Sequence, residues 1–405
     1  MAVLPADEPA YSRNEPGCPY TVRTRSADFN AHYHETLAVL RAESPVAATP
    51  QPGEYYVSRY DDVYQVLRDP QTFSSAQGVA VDPGGAKLPP IDTDPPLHTQ
   101  WRGVLNRWFT RQRMAVHEPA IRATAHAMLD EALAADGTDL VTAYAGRLPT
   151  EVFFAQIMRL PREDAVRCAA YVDQAVFSTD HEASREGYAL LGAFVTPLVT
   201  ELQQRPPEDE LLSAVAHAEI DGRKATTEEA ILAVTLLILG GLETTASVLS
   251  GGLHHLVTHP ELLAGLRSGE VELNPFVEEC LRAFAPSTGL RRSVTCPVEL
   301  GGVALEAGDS ILVGYASANY DEDTFPDAAT FDPARTPNRH VAFGMGIHRC
   351  LGSHLARIVL QVGFSVFAER VGGAELTGEI AHHSVPTRGL TTLPVRLVGV
   401  SVGAR

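Results

Sequence analysis

The chain is poor in cysteine, in positive charge and in long apolar runs, and each shortage removes a class of protein. Its five cysteines, Cys18, Cys168, Cys280, Cys296 and Cys350, are odd in number and widely spaced. That is the usage of a reducing compartment, and it leaves neither a disulfide framework nor the clustered thiolates of an iron–sulfur centre. Basic residues number 32 against 50 acidic ones, a formal charge of −18. Such a field repels phosphate backbones and anionic lipid heads, so nucleic acid is not an expected partner. Residues 1–20 lack an apolar stretch and read as an irregular segment without signal peptide or membrane anchor, which implies a cytoplasmic protein. No fixed-period repeat or low-complexity tract appears. The Pro/Gly-rich stretch 82–96 is too short for a linker and reads as a loop over a site.

What is present is enough apolar material, 45% of the chain, for a substantial core. Strand and helix signals alternate early, at 54–58 and 60–68. Helical periodicity then dominates at 122–134 and 164–177, with Pro161 placed to start a helix. After Pro286 the runs become short and alternating, at 298–300, 303–305 and 311–313, with Gly301-Gly302 as a turn. Helix returns at 351–370 and the tail 390–400 is strand-like. The expected class is mainly α with minor β.

Four segments carry chemistry. At 343–352 stands Phe-Gly-Met-Gly-Ile-His-Arg-Cys-Leu-Gly, leading into a helical stretch 353–370. A cysteine at a helix start meets unpaired N–H groups and the positive end of the helix dipole, which favour the metal-binding thiolate. Gly344 and Gly346 allow unusual backbone angles, and Gly352 would let a flat macrocycle approach. From Cys350 alone, a buried structural cysteine in a Gly-rich turn, the commoner fate of a lone cysteine, is the better reading.

The second segment is a long helix opened by a capping box, Thr226 and Glu229, and closed by Pro260, about 45 Å in length. Its part 230–239 is apolar except for Thr235, too short to span a bilayer and suited to a core. Gly240-Gly241-Leu242-Glu243-Thr244-Thr245 interrupts it. Each mid-helix glycine costs about 1 kcal/mol against alanine, and such local conflict often marks function. The third, Asn274-Pro275, reads as cap then first-turn proline, ahead of Glu279 and Arg282 on one helix face. The fourth is 94–102, where His98 and Arg102 stand one helical turn apart and can reach one carboxylate. His255 and His259 are spaced as in zinc helices but lack a third ligand; Cys280 and Cys296 are assigned to packing.

The decapeptide at 343–352 resembles the haem-binding loop of the cytochromes P450, and the similarity extends from near Tyr60 to the C-terminus with further motifs in order. The resemblance implies one domain over 1–405, a triangular helical prism with small β-sheets around a buried haem b. Cys350 would be the iron's proximal ligand, with Phe343, Gly344 and Gly352 beside the cofactor. His98, Arg102, Arg292 and His348 would hold its propionates, with Arg291 an adjacent competitor. Thr244 would act on bound dioxygen and Glu243 would relay protons, Thr245 being one position past the motif threonine. Glu279, Arg282 and Arg335 would form a fold-holding trio.

The implied activity is a monooxygenase inserting one atom of O2 into an apolar small molecule, by default as a hydroxylation. A terpenoid, aromatic or polyketide-like substrate would meet a pocket drawn from Phe177, Leu236, Leu237, Gly240, Thr288, Leu290, Thr391 and a loop at 79–90, under a helical lid at 171–203. With no flavin fingerprint or iron–sulfur ligands in the chain, electrons from NAD(P)H would arrive through a ferredoxin and ferredoxin reductase. Arg107, Arg111, Arg113, Arg349 and Arg357 offer a local basic patch for an acidic ferredoxin. A peroxide-dependent haem-thiolate oxygenase, a non-enzymatic haem sensor and a helical binding protein without haem remain as alternatives.

Overall fold

The computed structural model describes residues 8–13, 20–80, 86–178, 180–383 and 388–400; Cys18 and part of the loop at 79–90 lie outside them. Helices that build the site are numbered in chain order: α1 Tyr60–Arg68, α2 Leu97–Asn106, α3 Glu118–Ala134, α4 Arg162–Phe177, α5 His181–Gln204, α6 Thr227–Gly241, α7 Glu243–Thr258, α8 Leu273–Ala283 and α9 Ser353–Arg370. The fold is mainly α with several small sheets. Within the first twenty residues, expected to be irregular, Tyr11–Arg13 pairs antiparallel with Tyr20–Val22.

Local chemistry explains most boundaries. Helix α1 carries Asp61 and Asp62 in its first turn, favourable to the helix dipole, and buries Tyr60, Val63, Val66 and Leu67 along one stripe. Helix α6 opens on the expected capping box: Glu229 N–H donates to Thr226 Oγ1 at 3.1 Å, and Thr226 N–H donates to Glu229 Oε2 at 2.7 Å. Helix α8 starts two residues earlier than its Asn-Pro signal implies, with Glu272 rather than Asn274 in the cap position and Pro275 in the first turn, where a missing N–H costs nothing.

The largest sheet runs Tyr20–Val22, Val46–Ala48, Glu54–Val57, Ser310–Val313, Leu290–Val294 and Phe73–Ser74 in spatial order, with Tyr11–Arg13 at its edge. Ser310–Val313 pairs in parallel with Glu54–Val57 and antiparallel with Leu290–Val294, which puts Ile311 opposite Arg292 and Leu312 opposite Arg291. The main core lies among α2 to α9, where Phe154, Leu249, Phe276, Phe364 and Phe367 are fully buried. The continuous apolar stretch Thr227–Thr258 is long enough to cross a membrane by composition, yet here it runs through that core, packed on α5 and α9.

Candidate active site

A cavity of about 1520 Å³ lies between the α6–α7 junction, the N-terminal end of α9, α2 and the Leu290–Val294 strand. Of the residues expected around a cofactor, His98, Arg102, Arg292, Phe343, Gly344, His348, Cys350 and Gly352 all line it, with Thr244 and Thr245.

The cysteine loop is set by its glycines and by one backbone bond. Gly344 and Gly346 have φ of +63° and +66°, and a Cβ on Gly346 would come within 2.3 Å of the Leu67 carbonyl oxygen, so no other residue fits there. Cys350 N–H donates to the Phe343 carbonyl at 2.8 Å, closing the loop over a short turn at Gly346–His348. The cysteine stands two residues before the α9 cap position, Gly352. Its side chain reaches the cavity surface but is walled by protein, and this burial raises the thiol pKa. The Gly352 N–H and the charges of Arg102, Arg349 and Arg357 pull it back down only in part. The thiolate preference expected from the helix start is therefore outweighed by desolvation in the protein alone.

A prop under this loop was not legible as such in the sequence. Arg357 donates to Glu278 through Nε at 2.6 Å and Nη2 at 2.8 Å, His340 Nε2 lies 3.0 Å from the same carboxylate, and the guanidinium sits 4.6 Å above the Phe343 ring. Arg357 is thus tied to Glu278 and does not belong to a free basic patch. Arg107, Arg111 and Arg349 are exposed, and Arg113 stacks 4.5 Å over Trp108 while facing Asp209 at 3.6 Å.

Elsewhere on the cavity wall, His98 and His348 meet edge to face with ring centroids 4.4 Å apart. Both ring nitrogens of His98 and Nε2 of His348 are buried without a hydrogen-bond partner of ordinary geometry. Burial, then Arg292, His98 and Arg102, hold His348 down to about 3. Such a concentration of cationic and unpaired donor groups is met by carboxylates, so the donor set fits haem, whose propionates these residues would hold. Tyr315, buried beside Arg292, lines the cavity too and carries no motif that would have singled it out. Arg291 is not a competitor: its Nη2 lies 2.7 Å from Glu54 in a buried ion pair.

Where the long helix breaks, Leu242 takes φ −96° and ψ −70° and α7 restarts at Glu243. A Cβ on Gly241 would approach the Phe153 ring to 2.8 Å, so that position has room only for hydrogen. Gly240 opens onto the cavity. Thr244 faces it as well, its hydroxyl donating to the Gly240 carbonyl at 3.2 Å across the break.

Glu243 does not face the large cavity. It lines a second one, about 330 Å³, with Asp173, His383, Ala246 and Thr391. Ser247 Oγ lies 3.2 Å from Glu243 Oε1, and His383 Nε2 lies 3.7 Å from the same atom. Burial first, then the nearby Asp173 charge, raise Glu243 to about 7 against the Ser247 hydrogen bond. The expectation that Thr391 lines the substrate pocket is corrected likewise: it stands in this second cavity, behind α7. Phe177, Leu236, Leu237, Gly240, Thr288 and Leu290 do line the large one, with Val79, Leu88 and Pro90 from the 79–90 loop.

Glu279 and Arg282 are fully buried. Arg282 donates through Nε at 2.8 Å and Nη2 at 2.7 Å to Glu279, Arg335 Nε reaches both carboxylate oxygens at 3.2 Å, and Asn338 adds a bond of 3.0 Å. His255 and His259 stack at 4.0 Å, with His255 against Phe331, and no group of three or more metal-ligating side chains occurs among the described residues. Cys280 is buried, whereas Cys296, expected in packing, is exposed.

The family model for Cytochrome P450 matches residues 169–270 and 273–369. Cytochrome P450 monooxygenase PikC of Streptomyces venezuelae is 33% identical over 384 residues, 91% of this chain and 92% of that protein. The methyl-branched lipid omega-hydroxylase of Mycobacterium tuberculosis is 32% identical over 89% of this chain and 90% of its own length. Among solved structures, the cytochrome P450 PksS of the Bacillus subtilis bacillaene polyketide synthase superposes with a TM-score of 0.84 at 26% identity, covering 93% of this chain and all of that one. With its cysteine loop, broken helix and donor-lined cavity, the chain belongs to the cytochrome P450 family of haem-thiolate monooxygenases.

Proposed function

We propose that this single-domain monooxygenase hydroxylates a large apolar molecule of polyketide, terpenoid or lipid character. The observation that carries the reading is that Cys350, Thr244 and the four donors His98, Arg102, Arg292 and His348 converge on one cavity whose remaining wall is chiefly apolar. At about 1520 Å³ that cavity exceeds the roughly 300–1,000 Å³ that holds a drug-sized ligand, leaving room for a macrocycle and a sizeable substrate together. The names of the relatives, a lipid hydroxylase and a polyketide-synthase P450 among them, favour the same substrate range.

Cys350 with His98, Arg102, Arg292 and His348 would hold the haem, which would supply oxygen activation. The chain's own residues do the rest. Leu236, Leu237, Phe177 and Leu290 exclude water and orient the substrate by shape. Thr244 presents a hydroxyl at the helix groove, and Glu243 holds a proton at Oε1 close to neutral pH for delivery toward that side. Electrons from NAD(P)H come through a ferredoxin and its reductase, docking over the exposed Arg349, Arg111 and Arg107, and the enzyme works in the cytoplasm.

The test is a titration of the purified ferric protein with terpenoids, aromatics, fatty acids and macrolides, followed at the Soret band. A saturable high-spin shift with macrolides, terpenoids or fatty acids supports the reading. Saturation only by small aromatics overturns the assignment of a large substrate.

A further inference from the structure

The second cavity holds three titratable groups from three separate elements: Asp173 on α4, Glu243 at the start of α7, and His383 just after the short strand Ala381–His382. They share one cavity, with Asp173 on its solvent side. Asp173 is exposed; the His383 and Glu243 side chains are 19% and 29% exposed, with His383 Nε2 and Glu243 Oε1 3.7 Å apart. The next residue, Thr244, opens on the other side of the helix into the large cavity. The His383 ring is fixed by stacking on Phe177, centroids 4.1 Å apart at 20°.

We propose that His383 is the proton inlet of the site, carrying protons from the solvent side of the second cavity at Asp173 to Glu243. In the transfer the His383 Nε2–H bond breaks and a Glu243 Oε1–H bond forms. The neutral Nδ1–H imidazole left behind becomes imidazolium again when Nε2 takes a proton from a hydronium ion that has entered past Asp173, leaving water. This deepens the role given to Glu243 above and rests on it. The gradient runs the right way: burial holds His383 below its ordinary value and Glu243 above its own, so a proton on the imidazolium falls to the carboxylate. Among the described residues, the groups that face Glu243 here are Asp173, His383 and the Ser247 hydroxyl.

The experiment compares His383→Phe, His383→Gln and Glu243→Gln in the haem-loaded enzyme. NADPH-driven oxygen uptake with a surrogate ferredoxin pair is measured in light and heavy water, and the Glu243 carboxyl is titrated by infrared difference spectroscopy. His383→Phe keeps the stack on Phe177; it is expected to slow uptake roughly tenfold, less than the loss of a direct proton donor, and to enlarge the solvent isotope effect. It should also move the Glu243 midpoint upward, because an N–H dipole beside the carboxylate is gone. Glutamine restores a donor but cannot carry a proton, so His383→Gln is expected to return the midpoint toward the wild-type value and leave uptake slow. Wild-type uptake and isotope effect in both His383 variants, with Glu243→Gln impaired, overturn the inlet and leave the Glu243 relay standing. Wild-type behaviour of Glu243→Gln overturns the relay itself.

Discussion

Arg291 and Arg292 are neighbours on one strand and point to opposite faces, the first to a buried carboxylate, Glu54, at 2.7 Å and the second to the large cavity beside Tyr315. The period-two alternation of a β-strand separates an ion-paired arginine from a cavity-facing one with no change of residue type. Arg292→Gln is therefore expected to speed haem loss tenfold or more, since a charge-assisted hydrogen bond is worth about 1.5–3 kcal/mol. Arg291→Gln should lower the melting temperature and leave haem loss within about twofold of wild type, as changes outside a contact act on stability alone. Haem transfer to apomyoglobin measures both rates, and equal acceleration in the two variants would refute the assignment.

Cys350→Ala removes the one thiol that lines the cavity among the described residues. The reduced protein with carbon monoxide should lose the red-shifted Soret band that thiolate ligation gives, while its far-ultraviolet circular dichroism stays that of a helical protein. Persistence of the band would mean that another group binds the iron.

The sequence made some of this legible and hid the rest for physical reasons. Features fixed by short-range chemistry could be read directly: the capping box at Thr226, the Gly344 and Gly346 turn, the helix α1 and the small strands after Pro286 each depend on neighbours within a few residues. The direction of Glu243 could not. A break of φ −96° and ψ −70° at Leu242 resets the helical phase, so adjacent residues face different cavities, and the partners that reveal this, Asp173 and His383, are distant in the chain. Thr391 was misplaced for the same reason, since which side of α7 its strand passes is a tertiary matter. Arg357 looked like surface charge because nothing local announces Glu278 as its partner.

Glu243 gives a pH dependence whose sign can be worked out. Its carboxyl titrates near 7 in the folded chain against 4.5 as a free side chain. The folded protein then holds a proton that the unfolded chain releases, so stability is greatest below about 4.5 and falls as pH rises toward 7. Glu243→Gln removes this slope, at most about 3 kcal/mol before allowing for partial exposure. Melting temperatures at pH 5 and pH 8 should differ less in the variant, about these values being set by the interval just given. Parallel shifts in both proteins would show that the carboxyl is ionised throughout.

Glu279→Ala leaves Arg282 buried with its charge uncompensated and takes an acceptor from Arg335 and Asn338. The expected loss is about 3–5 kcal/mol, read as a lower midpoint of chemical denaturation. A loss below about 1 kcal/mol, the range of a surface pair, would contradict the buried network.

Phe177 is a wall shared by two rooms. It lines the large cavity, the proposed substrate space, and also stacks on His383. Reshaping that wall to admit a different molecule also shifts the bearing on which the imidazole rests, so at this position substrate range and the efficient use of reducing equivalents are adjusted together. At Leu236, which lines the large cavity but not the one that holds His383, the two can be altered separately.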